Sequence, residues 1–257
     1  MRAKDITKKK ANRKKKNTIS KFKKFGVLFI ILVLPSLIYV FFSSGRHSLS
    51  HSLPFFGERQ GTNKTIVNGK EKIDTIYHTI PPFSFTNQDG TTITEKNLDN
   101  SIYVADFFFA TCQTICPKMN SQMKRLQDRM KDYPKLNFKL ISHTVNPRQD
   151  TVEALKAYAE RVQADTKNWY FVTGDKQAIY DVAVKGYLVG AQEDAQVQGG
   201  FLHSPMLVLV DKEKHIRGFY DGTSVVSVDS LIEDIKVLYF EYDTKESSNK
   251  NKIEQRK

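Results

Sequence analysis

IYVADFFFATCQTICPKMN, residues 102–120, decides how the rest of the chain is read. Its first nine residues, Ile102 to Ala110, form a nearly continuous apolar run, the pattern of a strand buried on both faces of a sheet. Both cysteines of the 257-residue chain follow at once, Cys112 and Cys116, with three residues between them and Pro117 directly after. Proline suits the first turn of a helix, where its missing N–H is not needed. A helix is therefore predicted from Pro117, with Cys116 at its N-cap and Met119, Met123, Leu126 and Met130 along one stripe. A buried strand that turns into a helix through the only thiols of the chain puts them where α/β sheets carry their chemistry, at a strand end facing a helix N-terminus.

Working outward, FKLISHTV at 138–145 reads as the next strand, and Asp150 with Glu153 three residues on gives an N-cap pattern for a helix over 151–162. WYFVTG, starting at Trp169, is a third strand, and a short helix is expected near 177–184. MLVLVD and HIRGFYDG, split by Lys212-Glu213-Lys214, form a strand pair before an amphipathic helix over 228–242 that turns Leu231, Ile232, Ile235, Leu238 and Tyr239 inward. Upstream, FSFTNQDGTTIT sets Gln88-Asp89-Gly90 between two β-prone runs, a hairpin signal. The order β-α-β-α-β-α-β-β-α predicts one α/β domain over 77–242, a central mixed sheet covered on both faces. Residues 243–257 are charged and poor in apolar side chains and read as a disordered tail.

The net charge of +12 suggests nucleic acid until it is located. Residues 1–24 hold twelve Lys/Arg against Asp5 alone, a net of +11, which leaves the folded part nearly neutral and excludes a nucleic-acid surface there. This basic tail runs into FGVLFIILVLPSLIYVFFSSG, residues 25–45, twenty-one residues without a charge. About 20 apolar residues cross a bilayer, so 25–45 is predicted to be a single transmembrane helix. Crowded Lys/Arg keep 1–24 cytoplasmic and place the domain outside, on the periplasmic side of the inner membrane in a bacterium. A cleaved signal peptide is the competing reading; the long tail, the long apolar run and the absence of an A-x-A site speak against it. Residues 46–76, dotted with Ser, Gly and Lys, read as a tether.

Three chemistries compete for the thiols. A structural disulfide across so short a loop removes little unfolded-state entropy and makes a poor staple. A redox dithiol needs only the pair, since the positive end of the helix dipole favours thiolate there. A metal pair suits the soft ions Cu(I) or zinc but needs a further ligand. Of the six histidines, His47 and His51 fall in the tether and His215 in a charged turn, which suits solvation. His78 precedes the core and His143 falls inside a strand, while His203, in GGFLHSPMLVLVD, stands just before a buried strand that approaches the cysteine loop if it is central. Any of these last three remains open as a ligand on spacing alone. The methionines at helical spacing are better explained by core packing than by copper.

Taken together, C-x-x-x-C-P at 112–117, NPRQDTVEALKAYAER after the second strand, NWYFVTGD at 168–175 and FLHSPMLVLVD resemble the Sco/SenC family over about 160 residues. The resemblance implies a thioredoxin-like fold and copper, as Cu(I) and also Cu(II), held by Cys112, Cys116 and His203. It further implies delivery to the CuA-bearing subunit of cytochrome c oxidase, with a thiol-disulfide reductase acting on that subunit's cysteines, or a redox or copper sensor, as alternatives. The chain departs from the family pattern at Gln113, where proline is common, and at Asn146, where aspartate is common.

Overall fold

The computed structural model describes residues 29, 33–35, 52–67, 70–190 and 205–254. The chain divides into two compact units, Met1–His51 and Ser52–Lys257. In the first, Phe29 and residues 33–35 are helical; the remainder of the predicted span 25–45 and the whole basic tail lie outside the described residues. Among the described residues no helix is long and apolar enough to cross a membrane.

In the second unit the apolar run becomes β5 (Ile102–Phe108), every residue of it buried, and the helix that follows is α1 (Cys116–Met130). Strands β6 (Phe138–Thr144) and β7 (Trp169–Thr173) lie parallel to β5, joined through α2 (Val152–Arg161). On one flank β7 is met by the antiparallel hairpin β3 (Ser84–Asn87) and β4 (Thr92–Thr94). On the other, β8 (Met206–Val210) runs antiparallel to β5, and β9 (Ile216–Asp221) to β8. The seven-stranded order is β4-β3-β7-β6-β5-β8-β9, a mixed sheet with β5, the strand that leads to the cysteines, well inside it. Gly90 closes the predicted hairpin at φ +75°, a backbone angle that L side chains reach only with strain.

Side chains alternate along a strand, so neighbouring register pairs face opposite ways. Asp106 sits opposite Ser142, and the next pair, Phe107 opposite His143, faces the other side. The Asp106 face carries Phe108 and Phe171, whose rings pack on Tyr158 of α2. Met119, Met123, Leu126 and Met130 are buried along the inner stripe of α1, as core packing predicts.

Several boundaries differ from the sequence reading. Cys116 is the first residue of α1 and Ile115 its N-cap, one position earlier than expected, because Pro117 fits either of the first two helical positions. Thr151 caps α2 by accepting the Ala154 N–H, which leaves Asp150 free to turn inward. After α3 (Lys176–Asp181) the helix widens into a π turn over Val182–Gly186. Helix α4 (Val225–Glu254) extends through residues expected to be disordered.

The segment expected to be a solvated tether contains an antiparallel pair, β1 (Arg59–Val67) and β2 (Lys70–Tyr77), and contributes Leu53 to the core. Arg217 of β9 explains its attachment. This guanidinium is 1% exposed and pairs with Asp211 at 2.8 Å and Glu241 at 3.2 Å; it also donates to Leu53 O at 2.8 Å and Pro54 O at 3.2 Å. A buried charge is tolerated only when paired and hydrogen-bonded, and here the incoming chain supplies two of the acceptors.

Candidate metal centre

Both cysteines are free and buried, Cys112 at 8% and Cys116 at 2% exposure. Cys112 belongs to the loop between β5 and α1, turned by its N–H bond to Phe109 O at 3.2 Å, and Cys116 opens the helix. Their surroundings are unequal. Burial works against ionisation of Cys112, but the Cys116 thiol, the N–H groups of Cys116 and Thr114 and the Thr114 hydroxyl at 3.7 Å together pull its pKa below the ordinary thiol value. For Cys116 burial dominates, with the Cys112 sulfur and the Asp106 carboxylate adding to it, and its pKa is pushed far up. The site thus has one thiol whose neighbours favour its ionisation and a deeper one whose burial opposes it.

A crevice of about 320 Å³ opens at the carboxyl ends of β5, β6 and β7, lined by Phe109, Thr111, Asn146, Pro147, Arg148, Gln149 and Lys176, with neither thiol in its wall. A larger cavity of about 500 Å³, between α1 and α4, is rich in carboxylates and holds neither thiol nor histidine.

The predicted third ligand, His203, lies outside the described residues, as do His47 and His51. Among the described residues no three His, Cys, Asp or Glu side chains converge. Two of the remaining three histidines are hydrogen-bonded elsewhere. His78 donates through Nε2 to Gly186 O at 2.6 Å. His215, expected to be solvated, is half-buried against Phe55 and Tyr77 and donates through Nδ1 to His78 O at 2.9 Å. His143 is fully buried.

The sequence reading did not assign Asp106 a part. It is 1% exposed, and burial lifts its pKa to about 7 against the hydrogen bond from Ser142. A lone carboxylate inside an otherwise apolar strand was the signal available.

A buried dithiol between a parallel strand and a helix N-terminus, in a mixed sheet of this order, defines the class as thioredoxin-like dithiol domains. The model of the SCO1/SenC family matches residues 71–239, and the chain belongs to that family. It is 30% identical over 169 residues to the SCO1 protein homolog of Bacillus subtilis, covering 65% of this chain and 86% of that protein. The solved structure of BsSco, a member of the Sco family of cytochrome c oxidase assembly proteins with an identified disulfide switch, is 29% identical with a TM-score of 0.56, covering 63% of this chain and 93% of that one. Arabidopsis thaliana ScoI with copper bound is 25% identical with a TM-score of 0.52, over 61% of this chain and 97% of that one.

Proposed function

We propose that this protein is a membrane-anchored copper carrier that binds copper through Cys112, Cys116 and His203 and delivers it to the CuA site during cytochrome c oxidase assembly. The observation that carries this reading is the pair of free thiols side by side at the β5–α1 junction. Two thiolates and an imidazole suit Cu(I), and a site with so few donors releases its ion by ligand exchange. Copper in the Arabidopsis relative and oxidase assembly in BsSco support it. Residues 1–24 stay in the cytoplasm, 25–45 cross the membrane, and the folded domain works outside.

A second reading is favoured by the inequality of the two thiols: Cys112, the more exposed, attacks a partner's disulfide and Cys116 resolves the mixed disulfide, leaving the partner reduced and this chain oxidised. The disulfide switch of BsSco supports it.

Loading the full chain, purified in a mild detergent, with Cu(I) separates the two. One copper per chain, lost in Cys112→Ser and greatly weakened in His203→Ala, is the result expected of the carrier. Weak binding indifferent to His203, beside a readily reduced Cys112–Cys116 disulfide, overturns it in favour of the reductase.

A further inference from the structure

Ala110 lies in the loop that presents Cys112, two residues ahead of it, and both of its backbone polar groups are held by side chains flanking or ending one helix. Its N–H donates to Asp150 Oδ2 at 3.1 Å, and its carbonyl accepts from Arg161 Nη2 at 2.8 Å. Asp150 immediately precedes the capped start of α2 and Arg161 is that helix's last residue, so side chains from the two ends of α2 grip a single residue of the β5–α1 loop. The Asp150 arm is anchored in turn. The Thr144 hydroxyl, at the end of β6, donates to the same Oδ2, while Thr144 Oγ1 accepts the Asn146 N–H at 3.0 Å. Asp150 is 1% exposed and its other oxygen, Oδ1, has no hydrogen-bond partner among the described residues. The carboxyl therefore acts through one oxygen only. Arg161 is exposed and lies over the Tyr158 ring at 4.7 Å, which limits its rotamers.

We infer that Asp150 and Arg161 are positioning residues for the dithiol: by fixing the peptide groups on either side of Ala110 they hold the loop, and with it the Cys112 sulfur, in the arrangement that meets Cys116. The inference rests on the dithiol being the working site. A loop fixed in advance does not have to be ordered when an ion binds, and groups that orient metal ligands from behind are typically worth about 10- to 100-fold in metal affinity. The buried Asp150 arm carries most of this, because the exposed Arg161 arm competes with water.

The test compares Asp150→Ala, Asp150→Asn and Arg161→Gln in the full chain, by Cu(I) affinity against a chromophoric chelator, by the rate of iodoacetamide alkylation of Cys112 in the metal-free protein, and by urea stability. Asparagine keeps the one oxygen in use but buries an unsatisfied NH₂ group. Asp150→Asn should therefore lose stability while keeping the copper affinity and alkylation rate of the parent. Asp150→Ala should lose about 10- to 100-fold in affinity and be alkylated several-fold faster, with Arg161→Gln changed in the same direction but less. Affinity and alkylation unchanged in Asp150→Ala overturn the inference, as does an Asp150→Asn chain as impaired as Asp150→Ala. Should Asp150→Ala not fold, an unchanged alkylation rate in Arg161→Gln overturns it. A parent chain that binds no copper removes the carrier reading, and the alkylation rates still decide this one.

Discussion

Among the titratable groups buried in the central sheet, Asp106 and His143 lie on opposite faces, one residue apart along β5 and β6, and are treated in opposite ways. On the face covered by α2, Trp169 Nε1–H donates to Ser142 Oγ at 2.8 Å and Ser142 donates to Asp106. On the other, His143 is enclosed by Phe83, Phe85, Phe107 and Tyr187, with ring centroids 5.2 to 5.7 Å away, and neither ring nitrogen has a hydrogen-bond partner among the described residues. Burial disfavours the charged form on both faces. Asp106 rises from 3.8 to about 7 and His143 falls from 6.5 to about 3. Because one is an acid and the other a base, their contributions to stability run in opposite directions with pH. The contribution of Asp106 is complete below 3.8 and is lost as pH rises towards 7. That of His143 is complete above 6.5 and is lost as pH falls towards 3. Over the shared window the two slopes offset each other, so a buried acid and a buried base together flatten a dependence that either alone would make steep.

Removing the donor that satisfies the Asp106 face should have the largest effect. Trp169→Ala deletes a fully buried ring and leaves Ser142 without its N–H partner, with an expected loss of about 5 kcal/mol in urea unfolding. A loss under about 1 kcal/mol would mean that the network contributes little. Next, Asp106→Asn cannot ionise. At about 1.4 kcal/mol per pH unit, its stability relative to the parent should rise by about 4 kcal/mol between pH 3.5 and 8; a flat difference would show that Asp106 titrates near its ordinary value. The smallest effect belongs to the opposite face. His143→Phe fills the aromatic enclosure with a ring that never protonates, and its advantage over the parent should grow by about 2 kcal/mol as pH falls from 8 to 5. If the advantage grew instead with rising pH, the imidazole would have to be charged in the folded protein.

Much of this was legible in the sequence, for reasons particular to each stretch. Ile102 to Ala110 read as a strand covered on both sides, Gln88-Asp89-Gly90 carried the turn chemistry of a hairpin, and Pro117 marked the helix that presents Cys116. The pairing of Asp106 with Ser142 was hidden because register between β5 and β6 depends on how the whole sheet packs, and nothing local specifies it. Asp150 looked like a helix cap because carboxylates at that position usually are; Thr151 does the capping, and Asp150 reaches back across the sheet to Ala110, forty residues away. The strands β1 and β2 escaped notice because their residues are polar and Lys-rich, the composition of a linker, and their register is set by each other.

The guanidinium of Arg217 has a practical consequence for where this protein can be cut. The family match begins at residue 71, inside β2, and a recombinant fragment trimmed to that boundary would discard Leu53 and Pro54, whose carbonyls complete the coordination of a cation sealed in the core. Such a fragment would strip Arg217 Nε of its acceptor and leave Nη2 with Glu241 alone. The shortest piece that retains its own seal starts at Ser52, nineteen residues ahead of the point where the family match begins.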